Sequence, residues 1–266
     1  MQFNLTPVIK NLLIVNLGVF LGVFLLQNVG IDLVDYFGLH HILSDLFFPT
    51  QFLTHMFLHV KIGHIIGNMF GLVLFGSLLE NFWGAKRFLT FYLITGVGAG
   101  LVYMAVNSFE LWQLKQEADA YIVSPTPTKL VGFMKAHDYG NYRVNDKLLN
   151  DFEEKPNSQH YLQISKAYVQ QVYEAHLNGV AYGASGALFG ILMAMGLLFP
   201  NTELFLYLIP FPVKVKYVVA LYGIFELQDI IQRAPNDSVA HFGHLGGALF
   251  AFILIKFWNS RRDKFY

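Results

Sequence analysis

Six stretches of mostly apolar residues, near 12–30, 62–80, 87–107, 183–200, 213–231 and 239–258, dominate the sequence. A bilayer crossing takes about 17–25 such residues wound as a helix, so each stretch is long enough to span. Lipid offers no partner for a bare backbone N–H or C=O, which leaves helices or a closed barrel as spanning structures. Continuous runs of this length predict helices, and hence an integral, multi-span, all-α membrane protein in contact with the lipid bilayer. Only 14% of the 266 residues are charged, against about 25% in a soluble domain. The 26 Phe and 14 Tyr residues suit membrane helices with aromatic interfacial belts. The first run follows a single Lys10 and has no small-x-small cleavage site after it, so it reads as a retained span and not a removed signal peptide.

Charge decides orientation. Lys10, Lys86, Arg87, Lys214, Lys216, Arg261, Arg262 and Lys264 fall at the termini and at the 2–3 and 4–5 connections. The short 1–2 and 5–6 loops carry only Lys61 and Arg233, beside Asp32, Asp35, Asp45 and Asp237. Basic residues favour the cytoplasmic side, so both termini are expected there, with loops 1–2, 3–4 and 5–6 facing outward. The expected setting is a bacterial inner (cell) membrane. A net charge of zero argues against a nucleic-acid partner, because phosphate binding needs a basic surface. With no cysteine, disulfides, thiolate nucleophiles and Cys-ligated metals are excluded. The oligomeric state is not legible.

The chain divides into spans 1–3 (1–107), an extramembrane insert (108–180) and spans 4–6 (181–266), with the membrane parts forming one domain. The insert holds seven basic and nine acidic residues and the break SPTPT. Its last segment spaces Leu162, Val169, Val172 and Tyr173 to make one helical face apolar, which predicts a helical cap or a recognition module. Loop 1–2, FGLHHILSDLFFPTQFLTHMFLH, is too broken to span and too apolar for a free loop, so it is expected to be interfacial or partly embedded.

Polar groups inside spans are costly, and each is a candidate functional residue. His64 and Asn68 lie four apart at the start of span 2, on one helical face, and both can donate hydrogen bonds. Ser185 sits just inside the outer end of span 4, in AYGASGALFG; His241 and His244 lie near the outer end of span 6. A hydroxyl, an imidazole and two further donors are the parts of a nucleophilic acyl-transfer site. Spans 4 and 6 contain no Asp or Glu in their apolar parts, so the expected unit is a Ser–His dyad without a carboxylate. Other readings stay open. GASGALFG also fits the small-xxx-small packing pattern, as does Gly247 with Ala251. A metal or haem site is the rival for the histidines, although nothing in the sequence supports a metal or other cofactor.

These motifs, in this order and spacing over all six spans outside the insert, resemble the rhomboid intramembrane serine proteases. GASG, Gly183 to Gly186, is similar to the family's GxSG, which implies Ser185 as nucleophile. HLGGALFA is similar to the span-6 pattern, which implies His244, not His241, as base. HIIGN is similar to HxxxN, which implies His64 and Asn68 as oxyanion-hole side chains, with the Ser185 N–H as a further donor. The resemblance also implies structural roles for His55 and His59 in loop 1 and for Glu80, which ties helices together. Phe189 stands where a Tyr is frequent and can still stack on the base; Thr50-Gln51 replaces the usual Trp-Arg pair, which leaves the anchoring of loop 1 open. Gly183 and Gly186 are expected to let backbone and substrate approach Ser185, and Gly190 to let spans 4 and 6 pack closely. The implied fold is a six-transmembrane-helix rhomboid-like bundle with a soluble helical insert between helices 3 and 4. The implied activity is endoproteolysis of transmembrane segments of single-pass membrane protein substrates; a catalytically inactive, client-binding relative is the alternative.

Overall fold

A computed structural model describes residues 5–138, 146–204, 211–232 and 241–262. Arg233, Asp237 and Lys264, used above for orientation, lie outside the described residues. The six apolar stretches are helices: Pro7–Gln27, Ile62–Trp83, Ala85–Val123, Ser185–Leu198, Val215–Gln232 and His241–Arg262. Spans 1, 2, 3 and 6 are long and apolar enough to cross a membrane by length and composition. Span 5 is interrupted by Lys216, Glu226 and Asp229. The architecture is an all-α membrane bundle with a helical insert between spans 3 and 4.

Local chemistry sets the helix boundaries. Pro7 occupies the first turn of span 1, where its fixed φ suits the helix and its missing N–H costs nothing. The buried Glu80 near the end of span 2 accepts hydrogen bonds from Thr6 Oγ1, from Val8 N (3.0 Å) and from Ile9 N (3.1 Å). Its carboxylate thus satisfies amides that begin span 1 and lies at the positive end of that helix dipole. Spans 2 and 3 part at Gly84, whose φ of +82° is left-handed. Span 3 does not stop where the apolar run does, near 107, but continues to Val123. No Gly or Pro falls between Leu101 and Val123; Ser124 before Pro125 then ends the helix, because a residue preceding proline avoids the helical region.

The overhang of span 3 supports the insert. Helices Pro127–His137, Asp146–Glu154 and Gln159–Leu177 pack with it around a core of their own, which includes Leu114, Tyr121, Met134, Phe152 and Val169. Val169 and Val172 are buried there, with Leu162 and Tyr173 packed against the cluster, so the apolar face of the last helix is the one that packs. Tyr168 donates its hydroxyl proton to Asp138, and burial together with that carboxylate holds the phenol above its usual pKa.

Span 4 is the pivot of the membrane core. It packs against spans 2, 3, 5 and 6, and Ala187, Ile191, Ala194 and Met195 are all but fully buried. Its 14 residues make about 21 Å of helix, some 9 Å short of a hydrocarbon core of about 30 Å. A helix of that length cannot reach both faces of such a core, so one of its ends must lie inside it. The chain approaches the start of span 4 on a two-residue strand, Val180–Ala181, paired antiparallel with Leu39–His40 of loop 1.

Loop 1 is folded over this entrance. Its fully buried Gln51 donates to the carbonyls of Leu46 (2.8 Å), Asp35 (3.3 Å) and Tyr36 (3.4 Å) and accepts from His40 N (3.2 Å). A single amide side chain therefore gathers the loop, which answers how it is anchored without the Trp-Arg pair. Ile42, Leu43, Phe48 and Leu53 stay exposed on its outside, as an element resting in the interface requires.

Candidate active site

Ser185 is the first residue of span 4. His244 stands one turn into span 6 and is buried. Their side chains meet: His244 Nε2 lies 2.8 Å from Ser185 Oγ. The imidazole is held in plane by Phe189, one turn below Ser185, whose ring stacks on it at 4.3 Å between centroids and 5° between planes. Ser185 also lies at the N-terminal end of its helix, where the dipole favours developing negative charge.

Glycines make the approach possible. A Cβ on Gly247, three residues after His244, would stand 1.9 Å from the carbonyl oxygen of Gly186, so spans 4 and 6 touch backbone to backbone beside the pair. A Cβ on Gly186 would meet Ala99 of span 3 at 2.5 Å. Gly190 plays a different part from the one expected. A Cβ there would meet Thr95 of span 3 at 2.7 Å, so Gly190 seats span 4 on span 3 and not on span 6. Gly183 has φ +119°, and a Cβ on it would collide with the His64 ring at 2.6 Å. Only glycine fits this turn, on both counts.

His64 and Asn68 border Gly183, as their spacing on span 2 predicts, with Nε2 and Nδ2 within 4 Å of that hypothetical Cβ. Asn68 Nδ2 also lies 2.9 Å from His59 Nε2; the amide has two N–H groups, so one remains to point elsewhere. His59 thus steadies Asn68. His55 Nδ1 lies 2.8 Å from the carbonyl of Gln51, and its own carbonyl accepts from Gly183 N at 2.9 Å. Both loop-1 histidines therefore support the turn before Ser185 through hydrogen bonds. Between Ser185, His244, Gly183, Tyr182, Tyr103 and Ala99 lies a cavity of about 30 Å³, room for a water molecule or two.

A carboxylate that the reading of spans 4 and 6 does not include stands beside the pair. Glu226 of span 5 is buried, with Oε1 2.9 Å from His244 Nδ1 and Oε2 2.7 Å from His241 Nδ1. The His244 contact is close but bent, with the N–H not aligned on the oxygen. An inspection of spans 4 and 6 alone misses Glu226. The signal was available nonetheless: an ionisable residue in an apolar helix is a functional candidate wherever it lies. Atoms of Glu226, His241 and His244 all lie within 4.8 Å of one another, a set that could also hold a metal ion.

The Rhomboid domain matches residues 49–111 and 161–260, more than half of the chain, and the gap between the two stretches falls in the insert. The chain is 39% identical over 89 residues to Rhomboid-like protein 11, chloroplastic, of Arabidopsis thaliana, which covers 30% of this chain and 32% of that protein. It is 28% identical over 163 residues to RHOMBOID-like protein 12, mitochondrial, of the same plant, over 59% of this chain and 44% of that one. The chain thus spans less than half the length of either relative. With the domain match running through both the loop-1 histidines and the Ser185–His244 pair, this integral membrane protein belongs to the rhomboid family.

Proposed function

We propose that the protein is an intramembrane serine endopeptidase that cuts transmembrane segments of single-pass membrane proteins. The observation that carries the reading is the 2.8 Å contact between Ser185 Oγ and His244 Nε2, made by two separate spans in a recessed, water-sized cavity. In the reaction, Ser185 Oγ attacks the scissile carbonyl carbon while its proton passes to His244 Nε2. The oxyanion accepts hydrogen bonds from the Ser185 N–H, from His64 and from the free Asn68 N–H. Collapse of the tetrahedral intermediate breaks the C–N bond, and His244 returns the proton to the leaving amine. Water, deprotonated by the same imidazole, then releases the acyl group from Ser185 and regenerates the hydroxyl. A bond inside a stable helix is shielded, so the substrate must unwind locally to reach Ser185.

The orientation is part of the proposal: both termini in the cytoplasm of a bacterial cell and the site opening outward, as the loop charges favour. The relatives are named for a chloroplast and a mitochondrion, so an organellar membrane is the competing setting, which cell fractionation distinguishes.

A fluorophosphonate probe tests the chemistry. Wild type is expected to label and Ser185→Ala not to, a nucleophile deletion costing about 10⁶ in rate in a soluble serine protease. Asn68→Ala should slow labelling by about 10²–10³. Absent labelling of the folded wild type would favour the catalytically inactive, client-binding alternative.

A further inference from the structure

We propose that Glu226 is a positioning residue for His244, which makes the unit Ser185–His244–Glu226 a three-membered one assembled from spans 4, 6 and 5. The inference rests on the reading of Ser185 and His244 as the reacting pair. A base that takes the Ser185 proton on Nε2 must hold its resting proton on Nδ1. Nδ1 is the atom that lies 2.9 Å from Glu226 Oε1. A carboxylate accepts hydrogen bonds and donates none, so it selects that tautomer and steadies the imidazolium that forms once Nε2 is protonated.

The carboxylate is itself held. His241, one turn before His244 on the same helix, places Nδ1 2.7 Å from Oε2, the other oxygen. The two oxygens are thus divided between two imidazoles, which fixes the plane of the group. The bend in the His244 contact is of the kind that tightens when substrate fills a site. Other titratable groups facing His244 among the described residues are His241 on its own helix and His64 from span 2, while Tyr103 of span 3, Tyr182 and His55 line the same cavity. None of these is an acid that could replace Glu226. A buried carboxylate is costly in an apolar bundle and persists where it is paired.

The same three residues could bind a metal, but their atoms stand closer together than the ligands of a metal ion do. Ligands around a tetrahedral zinc, at bond lengths of about 2.0–2.2 Å, stand about 3.3–3.6 Å apart. The nitrogen–oxygen separations here are 2.7 and 2.9 Å.

The test uses the full chain in detergent or liposomes, with Glu226→Gln and Glu226→Asp measured beside wild type. Glu226→Gln keeps the shape, and its folding is checked by the thermal midpoint. The expected result is a fall in kcat of about 10²-fold or more with KM little changed, and partial recovery in Glu226→Asp. Soluble triads lose about 10⁴ on the equivalent change; the bent contact makes a smaller loss reasonable here. A loss of folding in Glu226→Gln passes the decision to Glu226→Asp, whose kcat must then lie between wild type and Ser185→Ala. Wild-type kcat in a folded Glu226→Gln overturns the positioning role and leaves Ser185 and His244 standing. Failure of wild type itself to label overturns both. Loss of wild-type activity on chelation, restored by zinc, overturns the inference in favour of a metal centre; an unchanged rate supports it.

Discussion

Gly247→Ala tests whether glycine packing creates the site or merely accompanies it. The new Cβ would stand 1.9 Å from the Gly186 carbonyl oxygen, 2.8 Å from its carbon and 3.4 Å from its Cα, all backbone atoms that cannot swing aside. Ordinary contact begins at 3.4 Å, so spans 4 and 6 must part by roughly 1.5 Å. Gly186 follows Ser185 directly and Gly247 lies one turn after His244, so most of that displacement falls on the Ser185–His244 contact. Opened from 2.8 Å toward 4 Å, it is no longer a hydrogen bond. A misplacement of about 1 Å at a reacting centre costs about 10²-fold, and overpacking costs about 1–3 kcal/mol of stability. The assay is the second-order rate of fluorophosphonate labelling with the thermal midpoint measured alongside. Gly67→Ala is the control, because a Cβ there has nothing within 4 Å and alanine is the better helix former. Labelling of Gly247→Ala at the rate of wild type and Gly67→Ala would show that the backbone contact does not set the geometry of the pair.

Gln51→Ala should destabilise loop 1 by about 1–3 kcal/mol by removing the acceptor of the buried His40 N–H together with the donor shared by three carbonyls; an unchanged thermal midpoint would place the anchor elsewhere. Glu80→Ala removes a charged acceptor shared by Thr6, Val8 and Ile9, at a cost of about 1.5–3 kcal/mol; proteolysis at the start of span 1 should accelerate, and unaltered protection would refute the capping role. Because the chain has no cysteine, single cysteines map its orientation without background. Lys86→Cys should be shielded from an impermeant maleimide in intact cells and Lys166→Cys, in the insert, labelled. The reverse pattern would invert the topology.

The sequence displays what depends on a single helix and conceals what depends on which helices become neighbours. Six helices are legible as apolar segments, and for four of them, spans 1, 2, 3 and 6, length and apolarity within the one segment are enough to cross lipid. His64 and Asn68 are legible as a pair because four residues bring them to one face of one helix. The end of span 3 is not legible in its apolarity, because a change of composition marks where lipid stops, whereas Ser124-Pro125 marks where the helix stops. Gly190 lies one turn below Gly186, which along span 4 alone suggests a shared neighbour without saying which. A Cβ on either glycine meets span 3 first, Gly186 at Ala99 and Gly190 at Thr95, and spacing along one helix does not name that neighbour.

Glu226 is the strongest case of the same limit. Its spacing along span 5 says only that an acid lies among apolar residues; its partners, His241 and His244, belong to the next span and meet it only once the bundle closes. That dependence has a physical consequence. An unpaired carboxylate at this depth is costly, so the packing of span 5 against span 6 and the pairing of Glu226 favour each other. Any shift of span 5 that withdraws Glu226 must also break its 2.7 Å contact with His241 and its 2.9 Å contact with the buried His244. The groups that orient the base therefore also hold the helix that carries them in place, and a bundle in which spans 4, 5 and 6 are out of register would lose the site and part of its own stability together.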